Sequence, residues 1–218
     1  MAGLPANSSA PPSRPAASIV VPTYREAENL RPLVTRLAAA MAEAAPYEVI
    51  IVDDDSRDGT AEQVAALAAE GHPVRLVTRV GERGLSSAVI RGFQEAAGRT
   101  LVCMDADLSH PPEAVPALLE ALADGEADFV IGSRYVPGAS TDEAWGAFRW
   151  LNSKVATLLA LPLVRVRDPM AGFFCLRRET FERSAPLNPI GYKIALELMV
   201  KCRYRRIREV PIHFANRR

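Results

Sequence analysis

The sequence predicts an α/β protein, a mainly parallel sheet flanked by helices, and three observations predict it. Short apolar runs near 18–21, 47–52, 74–78, 101–104 and 129–135 alternate with segments whose apolar residues recur at helical spacing, which is the order that builds a parallel sheet between helical layers. The run Leu101-Val102-Cys103-Met104 is apolar throughout, as a strand buried on both faces is. A composition of 49% hydrophobic and 24% charged residues over 218 positions is that of a globular protein with one sizeable core.

Ser18-Ile19-Val20-Val21 opens the sheet, and Pro22-Thr23-Tyr24-Arg25-Glu26 leaves it. A helix is predicted from about Glu28 to Glu43, because Leu30, Leu33, Val34, Leu37 and Met41 share one face and Pro32 suits a first turn. The second strand, Tyr47 to Val52, ends in Asp53-Asp54-Asp55-Ser56-Arg57-Asp58-Gly59, and Thr60-x-x-Gln63 resembles a capping box for the next helix. The acids mimic the front of a calcium loop, but its twelfth position is Ala65, which has no carboxylate to give. Val74 to Thr78 is a third strand; a glycine-punctuated turn from Gly81 to Ser87 precedes a helix over Ala88 to Ala97. After the strand that ends at Asp105 comes a Pro-Pro helix start and a helix from about Glu113 to Ala123, then a strand from Phe129 with Arg134 at its carboxyl end. Beyond a loop from Val136 to Glu143, a helix is expected from about Trp145 to Leu161, a short strand through Leu176, helices near Glu179–Arg183 and from Lys193 to about Arg203, and an edge-like strand Glu209–Phe214 containing Pro211. Residues 1–17, rich in Ala, Pro and Ser, read as a disordered leader before one domain over 18–218.

Chemistry concentrates at the strand ends. Tyr24 and Glu26, Asp53 to Asp55, Asp105 with Asp107, and Arg134 all follow apolar runs, and in a parallel sheet such ends line one edge. Asp105-x-Asp107 alone reads equally as a strand end with a helix cap. Read with its neighbours, it suits a hard divalent cation that takes its remaining oxygens from a phosphate and water. There is no Walker loop and no Gly-x-Gly-x-x-Gly, which argues against a P-loop enzyme or a dinucleotide enzyme. Cys103, Cys175 and Cys202 form no Cys-x-x-Cys pair, so neither a zinc site nor a disulfide framework is supported.

Net charge is zero, but residues 193–218 hold eight cations and two acids, a net of +6, so the remainder carries −6. This basic end suits an anionic partner or a solvated face equally; with few interleaved aromatics it argues against a nucleic-acid partner. No secretory signal is visible, and no stretch reaches the roughly 20 apolar residues of a membrane span.

The blocks Val21-Pro22-Thr23-Tyr24-Arg25-Glu26, Asp53-Asp54-Asp55-Ser56, Gly84-Leu85-Ser86-Ser87-Ala88, Asp105-Ala106-Asp107-Leu108-Ser109-His110-Pro111, Gly132-Ser133-Arg134-Tyr135, Asp168-Pro169-Met170-Ala171-Gly172-Phe173, Asn188-Pro189-Ile190-Gly191-Tyr192-Lys193 and Glu209-Val210-Pro211 make the sequence recognisable. Over residues 18–217 it resembles glycosyltransferase family 2, and more narrowly the dolichol-phosphate (polyprenol-phosphate) mannosyltransferases. The resemblance implies a GT-A fold, with a Rossmann-like, mainly parallel sheet. It implies that Pro22, Tyr24, Glu26, Val52 and Asp54 hold the base and ribose of a nucleotide, and that Asp105 and Asp107 bind Mg²⁺ or Mn²⁺ on the diphosphate beside the Ala106 backbone. Ser109 stands where some relatives carry Gln as a third metal ligand, on a shorter arm. Arg134, Arg149, Lys193 and Arg217 match the cations around the donor diphosphate and the acceptor phosphate, and Asp105, Asp107, Arg134 and Arg149 are the catalytic set.

The implied reaction is inverting transfer of mannose from GDP-mannose to a polyprenyl (dolichyl) monophosphate, at the cytoplasmic face of a membrane. Another nucleotide sugar such as UDP-glucose, or a catalytically silent nucleotide- or membrane-binding module, are the alternatives. Because the acceptor is already an anion, no obligatory base is assigned, although Asp105 and Asp107 are near enough to be considered. His110, beside two prolines, reads as structural, and His72 and His213 receive no role. Trp145, Phe148, Trp150, Leu158 and Leu159 suit a core or a membrane-facing groove for the prenyl chain equally. Relatives usually continue past the position of Arg217.

Overall fold

A computed structural model describes residues 14–142, 162–191, 193–202, 204 and 206–217. Seven strands form the central sheet: β1 (Ala17–Thr23), β2 (Tyr47–Asp53), β3 (Val74–Thr78), β4 (Thr100–Cys103), β5 (Phe129–Ser133), β7 (Phe174–Arg177) and β8 (Ile207–Pro211). Their order is β3-β2-β1-β4-β7-β5-β8. All pair in parallel except β7, which lies antiparallel between β4 and β5. The carboxyl ends of β1, β2, β4 and β5 therefore share one edge, as the apolar runs predict. The chain leaves β1 toward β2 and β3 on one side and returns to β4 on the other. That reversal is the topological switch point at which open α/β sheets place their ligands.

Alternation along β1 shows why the runs are apolar throughout: Ile19 and Val21 enter one core, Val20 the other, and all are fully buried. Over the first face lie α1 (Ala27–Ala40), α2 (Thr60–Ala69) and α4 (Val115–Ala123), the last entered through one 3₁₀ turn, Pro112–Ala114. Over the second lie α3 (Leu85–Glu95) and α6 (Ile194–Lys201). The short α5 (Arg178–Glu182) follows β7 directly. Gly92 lets α3 sit close to the sheet: a Cβ there would run into Val20 and come within 3.0 Å of Val52 Cγ2.

Several local expectations are corrected. Pro32 lies inside α1, not in its first turn. The capping box at Thr60 does not form: Gly59, with φ +97°, is the cap residue, and Asp58 Oδ1 instead accepts from the Thr60 N–H at 3.2 Å and hydroxyl at 2.7 Å. Helix α3 starts at Leu85, three residues before its apolar periodicity becomes regular, because Gly84 at φ +132° ends the preceding turn. The loop after β5 contributes β6 (Ser140–Thr141), which pairs in parallel with β9 (His213–Phe214), so the predicted last strand divides at Ile212 into sheet-edge β8 and this small second sheet. The predicted helix Trp145–Leu161, with Arg149 and its aromatic residues, lies outside the described residues.

Candidate functional site

Three turns leave the switch-point edge, and each holds a non-glycine residue in the left-handed region: Arg25 (φ 59°) after β1, Asp55 (53°) and Arg57 (53°) after β2, and Leu108 (60°) after β4. Such a conformation costs roughly 1–2 kcal/mol for an L-residue, so other contacts must hold it. After β1 and β2 the acids do so. Asp53 accepts from the Ser56 N–H at 2.9 Å and from its hydroxyl, Ser56 Oγ accepts from the Arg25 N–H at 2.9 Å, and Asp58 Oδ2 accepts from the Ala27 N–H at 3.1 Å. After β4 the Leu108 side chain is buried in the core, and Asp107 Oδ1 accepts from the Ser109 N–H at 3.0 Å and hydroxyl at 2.6 Å.

Between these turns opens a cleft of about 450 Å³. Pro22, Tyr24 and Glu26 line it from β1, Asp54 from β2, and Asp105, Ala106 and Asp107 from β4. Gly84, Leu85 and Ala88 supply the wall at the start of α3, and Arg217 reaches in from the C-terminal segment. Eight of the residues singled out in the sequence thus meet in one place. Val52 does not line the cleft; it is fully buried in the second core, paired with Pro22 across β1 and β2. Ser109 is 1% exposed and gives its hydroxyl to Asp107, so in this structure it orients a carboxylate.

The carboxylates differ in what holds them. Asp54 is fixed by a buried partner, Arg79, whose Nε and Nη2 reach Oδ1 at 2.8 and 2.5 Å while the Gly84 N–H reaches Oδ2 at 3.0 Å. Asp107 keeps Oδ2 on Arg217 Nε at 2.7 Å. The Asp105 carboxylate accepts no hydrogen bond from the described residues, and the ring nitrogen Nδ1 of His110 lies 3.7 Å from its Oδ2. Burial, with the charges of Asp107 and Asp105, holds the Glu26 carboxyl above its ordinary value against the opposing Asn29 bond and Arg217 charge. An unrelieved negative charge therefore faces the cleft.

Arg134 and Lys193 sit beside this cleft and do not line it. Asp168, with no exposed surface, accepts Nε and Nη2 of Arg134 at 2.8 Å each and the Arg134 N–H at 3.0 Å. Glu209 on β8 holds the segment in turn, accepting the N–H groups of Arg167 and Asp168 at 2.9 and 3.0 Å. Burial lowers the Lys193 pKa from its ordinary value, and the Arg134 charge lowers it further. The Asp168 carboxylate opposes that effect on Lys193.

Sequence reasoning missed Arg79, Arg83 and Asp168. Arg83 lines the cleft with its guanidinium 4.0 Å from the centre of the Tyr24 ring. A cation at the end of β3 and another just before Gly84 were the available signals. The Asp168 block reads in the sequence as a turn into the short strand through Leu176, with nothing local to mark Asp168 as a partner of Arg134.

Residues 18–184 match the family described as Glycosyl transferase family 2. The chain belongs to glycosyltransferase family 2. Among curated members it is 51% identical to dolichol-phosphate mannosyltransferase of Mycosarcoma maydis, over 94% of this chain and 72% of that protein. It is 48% identical to the protein of that name from Saccharomyces cerevisiae, over 92% and 78%. Undecaprenyl-phosphate mannosyltransferase of Micrococcus luteus is 36% identical, over 91% and 83%. Among solved structures, mannosyl-3-phosphoglycerate synthase from Rubrobacter xylanophilus superposes with a TM-score of 0.67 at 21% identity, over 94% of this chain and 67% of that one. Glucosyl-3-phosphoglycerate synthase from Mycobacterium tuberculosis, solved with Mn²⁺, UDP and phosphoglyceric acid, gives 0.67 at 20%, over 94% and 70%. At this identity these likenesses establish the fold, GT-A. The family membership makes this chain a glycosyltransferase.

The donor set fits a divalent cation that brings its own oxygens. Among the described residues no three His, Cys, Asp or Glu side chains gather where they could hold a metal ion. Two hard carboxylates facing a cleft suit Mg²⁺ or Mn²⁺ carried in on a diphosphate. Gly172 keeps that space open, since a Cβ there would lie 3.3 Å from Asp105 Oδ2.

Proposed function

We propose that this chain transfers mannose from GDP-mannose to a polyprenyl monophosphate, with inversion at the anomeric carbon and dependence on Mg²⁺ or Mn²⁺. One observation carries the reading: the Asp105 and Asp107 carboxylates line the switch-point cleft of a chain half identical to dolichol-phosphate mannosyltransferases. In this reading Pro22, Tyr24, Glu26 and Asp54 hold the nucleoside, with Val52 as the buried support beneath Pro22. Asp105 and Asp107 hold the cation, with Ser109 orienting Asp107. When bound, that cation supplies Lewis-acid stabilisation of the charge that grows on the departing diphosphate.

Arg217 enters the same cleft and offers charge-assisted donors to a phosphate. Arg134 and Lys193 form the neighbouring cationic site and take the acceptor phosphate, offsetting the repulsion between two anionic substrates. The acceptor oxygen is an anion before it attacks, so no side chain needs to remove a proton. A polyprenyl acceptor places the reaction at a membrane surface, which we assign to its cytoplasmic face. Among the described residues no helix is long and apolar enough to cross a membrane.

The test is mannose transfer from GDP-mannose to a short-chain polyprenyl phosphate in detergent with Mn²⁺, with UDP-glucose as a parallel donor. Wild type is expected to use GDP-mannose. Asp107→Asn is expected to lose about 10²–10³-fold in turnover with an unchanged circular dichroism spectrum. Full activity in that variant, or transfer from UDP-glucose alone, overturns the proposal.

A further inference from the structure

The corner that presents Asp105 contains a buried imidazole that the reaction does not use. His110 is 3% exposed; its ring lies 5.2 Å from Phe173, tilted by 23°, and 5.5 Å from Phe214, edge-on at 64°. Strand β4 ends at Cys103, and the Met104 N–H still reaches Val20 O at 3.2 Å. The next amide, that of Asp105, lies beyond the last paired residues of β1 and β4, where an unpartnered buried N–H would cost about 1–3 kcal/mol. It donates instead to His110 Nδ1 at 3.1 Å.

A ring nitrogen that accepts a hydrogen bond carries its lone pair there, so the imidazole is neutral with its proton on Nε2. The tautomer has a consequence for the carboxylate. An N–H at Nδ1 would be drawn to Asp105 Oδ2, 3.7 Å away, and would hold an oxygen the cation needs. The lone pair holds the backbone instead and leaves both carboxylate oxygens without a hydrogen bond from the described residues. Gly172 closes the arrangement, because a Cβ there would press within 3.2 Å of His110 Cε1 and 3.3 Å of Asp105 Oδ2. The C-terminal segment braces the same corner, with the Ala215 N–H on Ser109 O at 3.0 Å next to Phe214.

We propose that His110 is a positioning residue for the cation-binding carboxylate: as the Nε2–H tautomer it fixes the Asp105 backbone through Nδ1 and leaves the Asp105 side chain free to ligate. The inference rests on the reading of Asp105 as a cation ligand. The experiment is a Mn²⁺ titration followed by electron paramagnetic resonance in the presence of GDP, on wild type, Asp105→Asn, His110→Asn, His110→Gln and His110→Phe. Asn places its Oδ1 near the position of Nδ1 and can accept the Asp105 N–H; Gln carries its amide one bond too far, and Phe accepts nothing.

His110→Asn is expected to bind Mn²⁺ within about threefold of wild type, and His110→Gln and His110→Phe about 10–100-fold more weakly, the usual range for groups that orient metal ligands. Metal-free GDP affinity is expected to stay within about twofold in all three, which loss of the cleft would not allow. Long-range proton–nitrogen NMR of wild type is expected to show the Nε2–H form. Wild-type Mn²⁺ affinity in His110→Gln or His110→Phe, equal weakening in His110→Asn, or an Nδ1–H ring overturns the inference. Unchanged affinity in Asp105→Asn overturns the ligand reading on which it stands.

Discussion

Lys193 and Arg134 show how much a single residue's surroundings decide. Lys193 begins α6, where the helix dipole already disfavours a cation, and burial beside Arg134 lowers its pKa from the ordinary lysine value. As pH rises it therefore loses its proton earlier than a surface lysine, and the acceptor site loses one positive charge. The KM for polyprenyl phosphate is expected to climb through that alkaline range while kcat for bound substrates changes less. Lys193→Arg, which keeps its charge at every accessible pH, should flatten the climb; an unchanged pH profile in that variant would separate Lys193 from the acceptor. Arg134 is the opposite case, a cation held by the fully buried Asp168 through two side-chain bonds of 2.8 Å. Asp168→Ala strands that charge, and the stability loss in urea denaturation is expected to be about 3–5 kcal/mol.

At the scale of elements, the strands and their common edge were legible because buried parallel strands leave long apolar runs, and the runs stop where the ladder stops. The Asp105–Asp107 turn was legible for the same reason. Less legible was anything set by contact between distant segments. Pro32 is a different case: the helix predicted from Glu28 and observed from Ala27 both put it past the first turn, so that miss was one of local reading. The start of α3 was hidden because Ser86 and Ser87 look like turn residues, whereas Ser86 is buried and gives its hydroxyl to Gly191 O at 2.8 Å. Nothing local marks β7 as the reversed strand. Gly92 is another such case, a glycine inside a helix whose reason is the sheet beneath it. Alanine there gains about 1 kcal/mol of helix propensity but pushes its Cβ onto Val20 and Val52, and overpacking a core costs typically 1–3 kcal/mol. Because both valines are fully buried and have nowhere to move, Gly92→Ala is expected to lower the urea midpoint, with a net stability loss of up to about 2 kcal/mol. A stabilised variant would show that α3 lifts from the sheet freely.

Over the whole molecule, part of the charge asymmetry of the sequence is met by local pairing among the described residues. Of the basic C-terminal end, Arg206 meets Glu126 at 2.5 Å, Arg208 meets Asp124, Lys201 meets Glu197 at 2.7 Å and Arg217 meets Asp107 at 2.7 Å. The last pair differs from the others because it lies in the cleft, where Arg217 neutralises one carboxylate of a group that includes Asp105 and Glu26. Groups from both ends of the chain, Pro22 to Arg217, therefore close one site whose surplus charge is negative. A nucleoside diphosphate alone meets that charge as a like charge, and a divalent cation alone meets Arg217 on one of its two ligands. Each is expected to bind better in the presence of the other, and linkage requires the two enhancements to be equal. Isothermal titration of GDP with and without Mn²⁺, and of Mn²⁺ with and without GDP, should give the same factor, expected at about tenfold or more, within the usual range of coupling. With Mn²⁺ present throughout, GDP at about a hundred times its dissociation constant should by itself add roughly 2.7 kcal/mol to stability, a rise in melting temperature of about 5–10 °C for a chain of this length. A factor near one would place cation and diphosphate apart and remove Asp105 and Asp107 from the leaving group.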